Sequence, residues 1–188
     1  MLRRVLKTLV IAVLIVTMSC SIVYAKPYTF YPPVETESKV LPRGVKESTV
    51  RVTSNLRGVF FIAADLSIIN KNGKIGVSGK TYMREPVDEV YVTVYLDRLE
   101  ADNKWKQVKL YDIEFHSEDY PEGLTEPGFD FVISDQPSGH TYRLRGTFAA
   151  FLDGAMEGFG PVTDGILIEY SQSLKKEAGP PLLAVPCL

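Results

Sequence analysis

Apolar and polar residues alternate with a period of two through most of the middle of the chain, the spacing that places every second side chain on one face of a β-strand. Phe60, Ile62, Ala64, Leu66 and Ile68 begin the pattern, Asn70-Lys71-Asn72-Gly73 supplies turn residues, and Ile75, Val77, Gly79, Thr81 and Met83 resume it. That is a hairpin by its turn chemistry. Val90, Val92, Val94 and Leu96 then alternate with Tyr91, Thr93 and Tyr95, and after Glu100-Ala101-Asp102-Asn103 the run from Trp105 to Phe115 returns as a second hairpin. Phe129, Phe131 and Ile133 predict a short strand, Tyr142, Leu144, Gly146, Phe148 and Ala150 a longer one, and Ile166, Ile168 and Tyr170 the last. No window of comparable length spaces apolar residues as a helix would. Seven strands are expected.

Seven short strands within about 115 residues, separated by Gly and Pro, predict an all-β domain: a single antiparallel seven-stranded β-sandwich of the fibronectin or immunoglobulin kind. A small barrel is the alternative, because both arrangements bury the alternating apolar set. The sequence before this block divides in two. Residues 1–25 open with Arg3, Arg4 and Lys7, continue through the apolar run Leu9 to Val16, and end in Val23-Tyr24-Ala25, with small residues at the −3 and −1 positions of a cleavage site. This is the pattern of a signal peptide. A membrane anchor fits less well, since the apolar run is short and Ser19, Cys20 and Ser21 interrupt it. Lipidation of Cys20 is another alternative, but Thr17-Met18-Ser19 lacks the leucine such sites carry three residues upstream. Residues 26–57, with Pro32-Pro33, Glu35, Glu37, Pro42 and Gly44, read as a linker or disordered arm, and residues 58–170 as the β-sandwich domain. Residues 171–188, with Gly179-Pro180-Pro181 and Pro186, read as a disordered tail.

Charge and cysteine content narrow the function classes. Without residues 1–25 the chain has 18 Lys+Arg against 23 Asp+Glu, a formal net charge of −5. With no basic cluster this excludes an electrostatic nucleic-acid binder. Cys187 would be the one cysteine left, so no internal disulfide is expected, and stability must come from packing.

Catalytic and metal-binding patterns are sparse. Glu114 and His116 share a strand face with Glu118 and Asp119 close behind, but the segment reads more simply as a strand running into a charged loop. Asp153, Glu157 and Asp164 lack the spacing of a calcium loop. Gly76-Val77-Ser78-Gly79 lacks the spacing of a nucleophile elbow, and its glycines suggest a bulge or close packing. No metal or cofactor is expected.

The run Pro137-Ser138-Gly139-His140-Thr141-Tyr142-Arg143-Leu144-Arg145-Gly146 resembles the penultimate strand of fibronectin type III domains, in which a tyrosine hydroxyl ties down the preceding corner. Tyr142 stands at that position. The span from Arg57 to Glu169, with Tyr142 to Gly146, Glu157 and Thr163-Asp164-Gly165, also resembles a family of uncharacterised small secreted proteins of Gram-positive bacteria. The resemblance implies the fold and export, and carries no catalytic residue.

The expected functional surface is aromatic. Period-two alternation turns Tyr91 and Tyr95 away from the valine face, and in a fibronectin-like topology their strand pairs with the one whose outward residues are Arg143 and Arg145. An exposed Tyr91–Tyr95–Arg143–Arg145 face could stack on sugar rings or receive an anionic ligand. The plainer alternative is a ladder that stabilises the sheet. Ile113 and Phe115, as apolar companions, favour the hairpin register that sends Trp105 into the core. The expectation is therefore a secreted, non-enzymatic binding module for envelope polysaccharide or another extracellular ligand such as a protein, with no nucleic acid and no membrane partner after signal cleavage. A structural or coat-like protein and a small secreted hydrolase are the competing readings.

Overall fold

A computed structural model describes residues 30–54 and 59–170. They form two antiparallel sheets. β1 (Glu47–Thr53), β2 (Phe61–Asn70), β3 (Ile75–Met83), β4 (Glu89–Leu99), β5 (Trp105–His116), β6 (Gly128–Ile133), β7 (His140–Leu152), β8 (Ala155–Phe159) and β9 (Ile166–Ile168) follow in chain order. The first sheet runs β1-β2-β3-β6 and the second β5-β4-β7-β8, with β9 paired to the other end of β7.

The alternation read from the sequence is the alternation that packs. Leu66 and Ile68 of β2, Val90, Val92, Val94 and Leu96 of β4, and Leu144 and Phe148 of β7 are all buried between the sheets. Each such side chain contributes roughly 1.5–3 kcal/mol when taken from water. Asn72 and Gly73 both adopt positive φ, 54° and 82°, which twists the β2–β3 turn in the sense the strands require. Gly79 faces Phe129 across the β3–β6 pair, where a Cβ would run into the ring, so its glycine marks close packing. All seven expected strands are present, and Tyr142 donates its hydroxyl hydrogen bond to Pro137 O at 2.8 Å, tying down the corner before β7.

Nine strands stand where seven are expected. β1 arises within residues 26–57, whose composition suggested a linker or arm; it pairs with β2 from Glu47↔Ile69 to Thr53↔Ala63. The packed side of this edge strand carries Ser48, Val50 and Val52, too few apolar letters to stand out. β8 is five residues long and contains a glycine, yet Asp153-Gly154 before it has positive φ at both positions (50° and 77°), the geometry of a tight hairpin.

A second difference concerns Trp105. The β4–β5 ladder steps from Leu96↔Lys109 to Asp97↔Gln107, leaving Val108 as a bulge. One extra residue reverses the facing of everything before it. Tyr111, Ile113 and Phe115 therefore oppose the valines and pack against the core, as expected, whereas Trp105 lies on the opposite face. The proposed signal peptide at 1–25, the tail at 171–188, and both cysteines lie outside the described residues. Among the described residues no helix is long and apolar enough to cross a membrane.

Candidate ligand-binding face

The outer face of the second sheet carries Tyr91, Thr93, Tyr95 and Asp97 from β4, and Arg143, Arg145, Thr147, Ala149 and Phe151 from β7. The register sets Tyr95 opposite Arg145 and Asp97 opposite Arg143. All four residues singled out in the sequence thus share one face. They do not share exposure: Tyr91 and Tyr95 are half-buried, while both arginines are 0 % exposed.

The cover is the chain's own N-terminal segment. Its residues 33–36 form a turn, closed by the Thr36 N–H donating to Pro33 O at 3.0 Å, and this turn lies over the two arginines. Pro32 O accepts from Arg145 Nη1, while Val34 O and Thr36 O accept from Arg143 Nη2 and Nη1. Farther along, Ser38 Oγ donates to Thr163 O at 2.7 Å, and Lys39 and Leu41 exchange backbone hydrogen bonds with Gly165. The expectation of a loose arm fails here because its affinity lies in backbone carbonyls, which composition does not display.

Beneath this strap, Asp97 joins the two arginines. Its Oδ2 accepts from Arg143 Nε at 3.1 Å and Arg145 Nε at 2.7 Å, and its Oδ1 from Arg145 Nη2 at 3.0 Å. Gln107 Oε1 takes a further bond from Arg145 Nη2. Trp105 lies 4.4 Å from the Arg143 guanidinium, and Tyr95 and Tyr31 lie 4.8 and 5.5 Å from that of Arg145. One carboxylate against two guanidinium groups leaves a positive charge, offset by carbonyl dipoles and aromatic faces. Burial pulls the Arg143 guanidinium below its ordinary range, with Asp97 opposing. At Arg145 burial acts the same way but is outweighed by hydrogen bonds to Asp97 and Tyr31, which hold it above. Both stay charged at any physiological pH.

Among the described residues, the other half of the face is open. Tyr91, Thr93, Tyr95, Leu110, Asp112, Thr147, Ala149 and Phe151 line a groove of about 400 Å³. Tyr91 and Tyr95, four residues apart on one strand, stand roughly 13 Å from each other. Tyr91 meets Phe151 edge-on at 5.6 Å and donates its hydroxyl hydrogen bond to Glu89 at 2.8 Å. On the floor, Thr93 Oγ1 donates to Asp112 Oδ1 at 2.7 Å, and Thr147 Oγ1 is buried beside the Tyr95 hydroxyl. Leu110 is 46 % exposed at the rim. The hydrogen bond to Glu89, then burial, raises the Tyr91 hydroxyl pKa, and burial raises that of Tyr95, so both rings are neutral donors at pH 7.

No family model matches this chain, and no curated protein matches it. The groove is thus read from its own chemistry. Asp97, Gln107 and Tyr31 were not foreseen as partners of the arginines, nor were Leu110, Asp112, Thr147 and Phe151 as groove residues. Thr147, Ala149 and Phe151 follow Arg145 at even spacing, so the alternation that selected the arginines also selects them. The acidic candidates do not gather. Glu157 accepts from the backbone N–H groups of Val59, Phe60 and Phe61, Asp164 accepts from Lys39 N, and Asp153 forms the β7–β8 turn. His116 lies 3.8 Å from Glu89 and 3.5 Å from Glu114, and among the described residues no group of three or more His, Cys, Asp or Glu side chains could hold a metal ion.

Proposed function

We propose that the chain is an exported, non-enzymatic binding module whose open outer-face groove takes a carbohydrate ligand of the cell envelope. The observation that carries this reading is the pair Tyr91 and Tyr95 on the solvent side of a strand whose other side is core. Aromatic rings flanking a floor of hydroxyl and carboxylate groups suit the alternating apolar faces and hydroxyl edges of sugars. Export rests on the basic, apolar and small-residue regions of 1–25. A fibronectin type III kind of sandwich belongs to the same reading. The Tyr142–Pro137 bond and the β4–β7 pairing support it, while β3, lying between β2 and β6, is an addition to the immunoglobulin order in which strand B pairs directly with strand E.

Co-sedimentation of the protein with insoluble envelope polysaccharide tests the reading. Tyr91→Ala combined with Leu110→Ser removes apolar contact area from the groove without touching the buried arginines, and should abolish retention while leaving the thermal melt within a few degrees of the parent. Retention unchanged by that pair would assign Tyr91 to sheet stabilisation alone and overturn the reading of the groove.

A further inference from the structure

The charges facing the groove narrow the class of glycan. Along β4 the outward ionisable groups are Glu89, Tyr91, Tyr95 and Asp97; along β5 they are Asp112, Glu114 and His116; along β7 they are Arg143 and Arg145. β8 adds Met156 and Gly158 and no charge. The two cations are withdrawn from any ligand: they are fully buried, and their N–H groups donate to Asp97, Gln107 and the strap carbonyls. Among the described residues, the remaining formal charges at the groove are carboxylates. Asp112 lines it and Glu89 and Glu114 flank its Tyr91 end, with His116 between them.

Resting on the reading of this groove as a glycan site, we propose that it selects neutral or amine-bearing polysaccharides and rejects polyanionic ones. Asp112 Oδ1 already receives the Thr93 hydroxyl, and Oδ2 can accept from a sugar hydroxyl or an ammonium group. A uronate or phosphate in the same place would face Asp112 with like charge and find no available guanidinium. This reverses the expectation that the arginines would receive an anion.

The test is a titration of the domain, followed by NMR or calorimetry at low ionic strength, where surface charge is least screened. Three probes of equal length are compared: a chitosan oligomer, its fully N-acetylated counterpart, and an oligogalacturonate. The amine-bearing and neutral chains should bind, and the anionic one about tenfold more weakly or not at all. Asp112→Asn should erase the advantage of the amine over the neutral chain while leaving neutral binding in place. Anionic binding as tight as neutral binding would overturn the selectivity and leave the glycan reading standing. Absence of binding by all three overturns both. A lysine-rich peptide bound as tightly as the chitosan oligomer would assign the groove to cation attraction instead of sugar recognition.

Discussion

Replacing Asp97 with Asn is the sharpest perturbation of the outer face. The substitution keeps the side-chain shape and removes the one carboxylate shared by Arg143 and Arg145. Three charge-assisted hydrogen bonds are lost or weakened, and two guanidinium groups with no solvent exposure are left facing each other. Each bond to a charged group is worth about 1.5–3 kcal/mol, but the residual amide oxygen recovers part of one. Breaking a buried ion pair by removing one partner costs about 3–5 kcal/mol, and that is the expected loss here. For a domain of this size it corresponds to a fall in Tm of roughly 10–20 °C. Trp105 is the only tryptophan in the chain and stacks on Arg143, so its fluorescence and the far-UV signal should both report the transition. The strap is expected to loosen first, with the fluorescence midpoint falling at or below the far-UV midpoint. Asp112→Asn, on the open half of the same face, serves as the control and should cost less than about 0.5 kcal/mol. An Asp97→Asn melt within about 3 °C of the parent would refute the argument that this carboxylate holds the covered half together.

Further tests address the corner, the strap and the acid limb. Tyr142→Phe removes the bond to Pro137 O and should cost about 0.5–1.5 kcal/mol, read as a small fall in Tm. A chain beginning at Ser38 lacks the three carbonyls that receive the arginines, and should show a lower melt together with greater acrylamide quenching of Trp105. Burial opposes ionisation of Glu157, but backbone N–H groups of Val59, Phe61 and Phe60 outweigh it and hold its pKa below the ordinary value. Near pH 4.5 the unfolded chain then binds more protons than the folded one, so this contribution is present above that pH and is lost as pH falls through the lower folded value. Glu157→Gln should lower stability at pH 7 by about 1–3 kcal/mol and flatten the acid limb of the Tm–pH curve.

Most of the fold was legible because it depends on facing, and facing follows from parity. Val90, Val92 and Val94 point inward, Tyr91 and Tyr95 outward, and Tyr142 reaches the corner where its pattern placed it. Parity fails at a bulge: Val108 reverses Trp105, and nothing in Lys106-Gln107-Val108-Lys109 marks the step. Parity is also silent on β8, whose cue is the turn: Asp153-Gly154 between two runs of apolar residues is strong hairpin chemistry.

Facing is not exposure, and the difference decides the candidate site. Arg143 and Arg145 do point away from the core, as alternation requires, yet a second layer lies over them. That layer is Pro32 to Thr36, and what it offers the arginines is main-chain oxygen, common to every sequence and therefore invisible in a pattern of side chains. Only the pairing of two arginines with the single acid Asp97 hints at the cover, because an excess guanidinium in a sheet face must find acceptors somewhere. Once the strap supplies them, the face is divided. Its basic half is closed by the chain itself, and its aromatic half is left open beside carboxylates. The N-terminal segment therefore sets what the open half presents: with the arginines satisfied internally, Asp112, Glu89 and Glu114 are the formal charges left beside the groove among the described residues.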